Sequence, residues 1–389
     1  MKYRYILLYA ALMAVVIGCN QKVEPDDGGE EQEQEEEYVA PLPPEIHDGD
    51  VVSVTNEVIE RFISEVHYPD SDYSYTEVLN YPGGPGYYDA QPEYMLKWDA
   101  DASAGELVSV LADDERTFTT KIGAGEDHVI VTNLCPNKHY TFEVKSVSGS
   151  KTLLSGGFDT KGSLHHLTYE NKLRNIRDLG GWKTTDGKTV RYRKIYRGGR
   201  LDNRNINEKG REDILAEGLR AQLDLREKNS TLKSSALGEE YDFCAPEIES
   251  AFVNMLSKSA PQTKQCIEFV LKCLKEDKPV YYHCTLGRDR TGTLTMLLLG
   301  LLGVPEGEIS KEFELSYFSP IGCSIAESED YSLFSRTRDN DEYYKTGVQY
   351  LWEYASGAGT FKQAVETYLL GIGVTQQDID DIRSIMLMD

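Results

Sequence analysis

Residues 280–303, VYYHCTLGRDRTGTLTMLLLGLLG, constrain the fold more than any other stretch of the chain. Val280, Tyr281 and Tyr282 are β-formers behind Pro279, which predicts a buried strand. Thr285 to Arg290 hold one glycine and no apolar run, and from Gly292 the text is an unbroken Leu-rich helix. Strand, six-residue loop and buried helix follow in that order. Such a loop gathers successive backbone N–H groups and a positive helix end around one point, which is a phosphate-sized anion site.

Cys284 stands at the start of that loop, where the same donors and Arg290 favour its thiolate, the nucleophilic form. Arg290, six residues on, offers a planar fork to two phosphoryl oxygens. The competing reading is a buried cysteine in the strand-to-helix turn of an ordinary α/β domain, and Cys-x5-Arg alone is too common to decide. His283, Gly287, Arg290, Thr291 and Gly292 together, between a strand and a helix, resemble the HCxxGxxRTG signature of the protein tyrosine phosphatase superfamily. On that reading Thr285, Leu286, Gly287, Arg288, Asp289 and Arg290 bind phosphate, and Cys284 attacks phosphorus to form a phosphocysteine that water hydrolyses.

Two further motifs, Asn175-Ile176-Arg177-Asp178-Leu179-Gly180-Gly181 and Tyr196-Arg197-Gly198-Gly199, resemble the N-terminal signature of the bacterial tyrosine/serine phosphatase family. That family is similar in fold to dual-specificity and phosphoinositide phosphatases. Gly199 stands where serine is usual, so Arg200 is given no special role. Asp224-Leu225-Arg226 resembles the family's DLR element, and the resemblance covers roughly 165–389. It implies a phosphomonoester hydrolase acting on phosphotyrosine, with dual specificity for phosphoserine left open, or alternatively on phosphoinositides or inositol phosphates. No cofactor is implied. Arg288 adds a second charge that resembles the lysine of lipid-active relatives and would favour multiply charged headgroups. Thr291 is expected to donate its hydroxyl to the thiolate, His283 to order the loop from behind, and Asp178 to hold its own turn and Arg177. The general acid stays open between Asp289, which resembles the aspartate of the HCxxGxDRTG form, Asp224, whose neighbour Arg226 suits a structural ion pair equally well, and a residue elsewhere.

The first nineteen residues carry two early positive charges and an apolar run from Ile6 to Ile17, ending in VIGC. This is a signal sequence, and its end resembles a bacterial lipobox, so Cys19 is the expected lipid-attachment residue. Behind it, residues 22–50 carry twelve acidic side chains and one lysine. Residues 20–45 read as a self-repelling acidic tether, resembling the export tract of surface lipoproteins in Bacteroidetes-like bacteria; a plain solvated spacer is the alternative. The expected address is extracytoplasmic, lipid-anchored to the membrane, at the outer membrane. A formal charge of −24 argues against a nucleic-acid partner. The other cysteines form no dense pairing pattern, no CxxC or HExxH occurs, and no metal is expected; Cys266 and Cys273 share a helical face and read as core.

The remaining chain divides into a helix and loop over 46–88, a β-sandwich over 89–161 and a catalytic domain over 162–389. Residues 51–66 have helical periodicity with Thr55 as candidate cap. The six tyrosines of 68–88 suit packing or a carbohydrate-facing patch. Six short strands are predicted between 89 and 161, and Leu96-x-Trp98 with the run 133–144 resembles a fibronectin type III domain. The fold class is therefore multi-domain, an α/β tyrosine-phosphatase-like domain preceded by a small β-sandwich. A phosphatase fold that holds anions without turnover, or an adhesin whose sandwich is the working part, are the rival functions.

Overall fold

The computed structural model describes residues 42–69, 78, 81, 91–167, 173–319 and 338–389, the side chains of the last segment from 343 onward. Cys19, the signal sequence, most of the acidic tether, most of the Tyr-rich stretch and Cys323 lie outside the described residues.

The chain enters through β1 (Val51–Ser53) and α1 (Glu57–Glu65), where the sequence predicts one helix over 51–66. β-Branched residues dominate the first part and favour an extended backbone. Asn56, not Thr55, caps the helix, its side-chain oxygen accepting from the Val58 N–H at 2.9 Å. Thr55 instead donates its hydroxyl to the Leu164 carbonyl at 3.2 Å and accepts from Ser163 N–H, also at 3.2 Å.

The six strands predicted next are all present: β2 (Tyr94–Lys97), β3 (Leu107–Ala112), β4 (Thr117–Ile122), β5 (His128–Val131), β6 (His139–Ser146) and β7 (Thr152–Lys161). They form two sheets, β1-β7-β6-β3-β4 and β2-β5, around Leu96, Leu111, Tyr140, Phe142 and Phe158, with Trp98, Leu107, Ile122 and Val144 as a second cluster. Because β1 pairs in parallel with β7, this layer begins near residue 51 rather than 89.

The larger sheet runs β12-β11-β13-β10-β8. It contains β8 (Arg177–Asp178), β10 (Ile195–Gly198), β11 (Ala221–Asp224), β12 (Asp242–Cys244) and β13 (Val280–His283), while β9 (Thr189–Val190) pairs with the C-terminal β14 (Leu387–Met388). The Asp186-Gly187 turn closes a short hairpin, with Thr184 N–H on Lys188 O and Val190 N–H on Trp182 O at 2.9 Å and Gly181 N–H on Val190 O at 2.8 Å, and the chain beyond it enters the larger sheet as β10. All of β13 is buried, β10 and β11 run parallel on either side of it, and β12 runs parallel beyond β11. That register sets Asp224 opposite His283, so the DLR element and the cysteine loop leave the same sheet edge.

Helices α2 (Glu208–Ala216), α3 (Phe252–Lys258), α4 (Ala260–Lys275), α5 (Asp289–Leu302), α6 (Glu306–Glu314), α7 (Arg338–Tyr354), α8 (Phe361–Gly371) and α9 (Gln376–Met386) accompany the sheet. α5 is buried from Thr291 to Leu302, as a Leu-rich central helix must be. α9 starts with a complete capping box between Thr375 and Asp378.

α1 belongs to this core, not to the sandwich that follows it in sequence. Ile59, Phe62 and Val66 pack in one cluster with Val280, Leu294 and Phe313. The buried Lys311 ammonium donates to the last α1 carbonyls, Ile63 O at 2.7 Å and Val66 O at 3.0 Å. Residues on both sides of the β2–β7 layer therefore build the core around the larger sheet. The sandwich is fastened to it through Arg193, fully buried at φ 61°, whose guanidinium pairs with Asp113 at 2.7 Å and donates to the Tyr140 hydroxyl at 3.0 Å.

Candidate active site

Cys284 follows β13 directly and is 2% exposed. The chain then turns through Thr285, Leu286, Gly287 and Arg288 and enters α5 at Asp289, so Arg290 sits in the first helical turn. The side chain of Arg288, the N-cap residue, makes no capping bond there among the described residues.

Every carbonyl from Cys284 to Gly287 is bound from behind. His283 Nδ1 lies 3.0 Å from Cys284 O, and Arg200 N–H donates to Thr285 O at 3.1 Å. The Asn175 amide donates to Leu286 O at 3.2 Å and Gly287 O at 3.1 Å, and Arg197 adds a second bond to Gly287 O. In a planar trans peptide the N–H points opposite to the C=O. Holding these carbonyls back therefore aims the following N–H groups forward, toward the space above the thiol. The N–H groups of Thr285, Leu286, Gly287 and Arg290 donate to nothing among the described residues. Gly287 is required here: its φ is 73°, and a Cβ would lie 2.3 Å from the Gly198 carbonyl carbon.

His283 is completely buried, and burial lowers its pKa, which keeps the imidazole neutral. Its other nitrogen, Nε2, lies 2.9 Å from the Gln222 amide, which also donates to Leu201 O at 2.9 Å. These partners assign the Nδ1–H tautomer, donating to Cys284 O. It supports the loop from behind.

Arg290 is held along one edge. Its Nη1 donates to the Glu227 carboxylate and, at 3.0 Å, to Ile248 O. Glu227 is held down at about 2 by the Ser230 hydroxyl and then by Arg290 itself. One edge fixed in this way leaves the rest of the guanidinium for an anion.

The three aspartates singled out in the sequence occupy different settings. Asp224 is buried, with both oxygens engaged by the Arg226 guanidinium at 2.9 and 2.8 Å, and by Arg226 N–H and Leu232 N–H at 3.1 Å. Burial opposes ionisation, but the Arg226 guanidinium and these bonds outweigh it and keep the pKa low. Such a carboxylate has no proton to give, and the ion-pair alternative describes it; Arg226 extends the pair to Asp202 at 3.0 Å. Asp178 is buried too and accepts from Gly180 N–H at 2.8 Å and Arg193 N–H at 2.5 Å. It holds its turn as expected, but Arg177 is held by Glu312 instead, at 2.7 Å. Asp289 keeps 28% of its side chain exposed and accepts from Arg288 Nε at 2.9 Å.

Two expectations change. Arg288 is 8% exposed and paired with Asp289, so it is no open cation for a second phosphate. The Thr291 hydroxyl is buried without a hydrogen-bond partner among the described residues, so the bond expected to Cys284 is not made. Sequence reading gave no site role to Asn175, Arg197, Gln222, Glu227 or Glu312. Asn175 and Arg197 stood inside recognised motifs, and Glu227 directly follows the DLR element, but Glu312 lies in an unremarkable amphipathic helix.

The model of the tyrosine phosphatase family matches residues 170–388, more than half of the chain and all of these elements from Asn175 onward. The chain belongs to the tyrosine phosphatase family. Among relatives of this family, a tyrosine-protein phosphatase of Nostoc commune is 31% identical over 140 residues, which are 34% of this chain and 47% of that protein. A second relative, from Cupriavidus necator, is 26% identical over 168 residues, 37% of this chain and 60% of its own. The chain thus spans about half the length of these family members. The solved structure of TpbA from P. aeruginosa is similar at 13% identity and TM-score 0.27, covering 41% of this chain and 89% of that one. PTPMT1 is similar at 18% identity and TM-score 0.25, with 38% and 96% covered.

Proposed function

We propose that the protein is a cysteine-dependent phosphomonoester hydrolase that works through a phosphocysteine intermediate. The observation that carries this is the loop above Cys284, its carbonyls tied back and its N–H groups turned forward, with Arg290 braced beside it. A phosphate monoester docks with its oxygens on those N–H groups and on Arg290. The Cys284 thiolate forms a bond to phosphorus in line as the ester oxygen leaves with a proton; water then displaces sulfur, releasing phosphate and the thiolate. Asp289 is the proposed proton donor and, later, acceptor, since Asp224 and Asp178 are buried and fully engaged.

A singly phosphorylated substrate such as phosphotyrosine is favoured over a multiply charged headgroup, because Asp289 compensates Arg288 locally. Assay against a phosphotyrosine peptide, a phosphoserine peptide, phosphoinositides and inositol hexakisphosphate tests the choice. The phosphotyrosine peptide is expected to give the highest kcat/KM, and a preference for the inositol phosphates would reverse it. The sandwich reads as fibronectin type III-like, supported by Tyr140, whose hydroxyl accepts from Cys135 N–H five residues upstream at 2.9 Å. Cys19 is the proposed lipid anchor of an outer-membrane lipoprotein, resting on VIGC and the acidic tract behind it. Cys19→Ala is expected to release the protein from the membrane fraction; retention would refute the anchor.

A further inference from the structure

We infer that Glu312 of α6 is a positioning residue for the phosphate loop, acting through two buried arginines; this rests on the phosphatase reading of that loop. Arg177, Arg197 and Glu312 are each at most 2% exposed. Glu312 Oε1 accepts from Arg177 Nε at 2.7 Å and Oε2 from Arg197 Nη1 at 2.6 Å, while Arg177 Nη2 reaches the Glu312 carbonyl at 2.7 Å. One carboxylate therefore stands between two guanidinium groups that water does not screen. Without it, two like charges would share a dry site, and at least one would have to move.

Arg197 has little else to fix it. Nη1 also touches the Thr295 hydroxyl at 3.2 Å, Nη2 reaches the Ser316 hydroxyl only at 3.4 Å, and Nε has no partner among the described residues. With Nη1 locked on Glu312, Nη2 is turned onto the Gly287 carbonyl. Arg177 donates to the Asn175 side-chain oxygen, which leaves the Asn175 amide facing Leu286 O and Gly287 O. Both routes end on loop carbonyls, and each carbonyl sets the direction of the next N–H. Glu312 touches no substrate atom; its charge decides where the two donors behind the loop can sit.

The test is orthophosphate and orthovanadate binding by calorimetry on the folded full chain, beside thermal melting and kinetics on para-nitrophenyl phosphate. Glu312→Gln is expected to weaken both anions at least tenfold and to raise KM along with the loss in kcat. Glu312→Asp, which keeps the charge, is expected to recover part of the affinity. The double variant Arg197→Gln/Glu312→Gln removes one charge of each sign, and its loss of affinity is expected to fall short of the product of the two single losses, since part of the effect of Glu312 runs through Arg197. It also serves if Glu312→Gln does not fold. A lowered melting temperature with anion affinities within twofold of wild type would overturn the inference, as would losses that multiply in the double variant. A wild-type chain that turns over phosphate esters while Glu312→Gln matches it defeats this inference alone. A wild type that neither binds the anions nor hydrolyses esters defeats the phosphatase reading and this inference with it.

Discussion

Four consecutive carbonyls, Cys284 to Gly287, are each bound by a donor behind the loop, and that single arrangement converts a strand-to-helix turn into an anion cradle. The placement of Cys284 and Arg290 at the two ends of one strand-to-helix loop was legible in the sequence because their spacing is local. Apart from the adjoining His283, the donors were not, because Arg200, Arg197 and Asn175 lie 85 to 112 positions from the carbonyls they bind, and the last two rest on a partner, Glu312, that carries no motif. Asp224 could not be separated from Asp289 by sequence, since both end or begin an element at the same sheet edge. The Arg226 fork separates them. Asp289→Asn is expected to slow hydrolysis of an alkyl phosphate by about a hundredfold while sparing para-nitrophenyl phosphate, whose leaving group needs no proton; equal loss on both would make it a loop-orienting residue. Glu227→Gln is expected to raise KM several-fold by releasing one edge of Arg290. The folded carboxyl of Glu227 lies at about 2, below its ordinary 4.5, so its contribution to stability is present above pH 4.5 and lost as pH falls through about 2. The stability difference between wild type and Glu227→Gln, followed by urea unfolding, is therefore expected to shrink across that window. A difference that grows toward low pH would contradict the assignment.

Among the elements, the alternating strands β2 to β7 and the Leu-rich α5 read correctly from sequence. β8 and β12, of two and three residues, escaped because so few positions carry no alternation, and the seven residues of α3 make only about two helical turns. The helix predicted over 51–66 failed at its start for a tertiary reason, since Val51–Ser53 finds a parallel partner in β7 that no local signal reveals. α1 then crosses into the catalytic core, where Lys311 satisfies its last carbonyls. Lys311→Met leaves Ile63 O and Val66 O without that donor in a buried place and is expected to cost about 2–3 kcal/mol by urea unfolding. A loss below about 0.5 kcal/mol would mean that water or a shifted backbone replaces the ammonium.

In the whole molecule, residues Leu42–Asp389 cluster as one unit, although the sequence suggests a chain of separable modules. The reason is polar and buried: Arg193 of the catalytic part reaches Asp113 and Tyr140 of the sandwich, and Arg116 of the sandwich donates to Glu217 O at 3.2 Å. Such ties have no periodic signature, so sequence boundaries drawn from composition miss them. Arg193→Met strands the buried Asp113 carboxylate and is expected to cost about 3–5 kcal/mol. Wild type is expected to unfold in one transition reported alike by probes in both parts, whereas two separate wild-type transitions would show that the sandwich is an independent module. The central claim concerns the sulfur at the bottom of the loop, and it is met most directly by acid-quenching the enzyme during turnover of para-nitrophenyl phosphate and sequencing its peptides by mass spectrometry. The account predicts one phosphoryl group on Cys284 and none when Cys284→Ser is treated in the same way; turnover with no phosphoryl on Cys284, or undiminished turnover by Cys284→Ser, would contradict it.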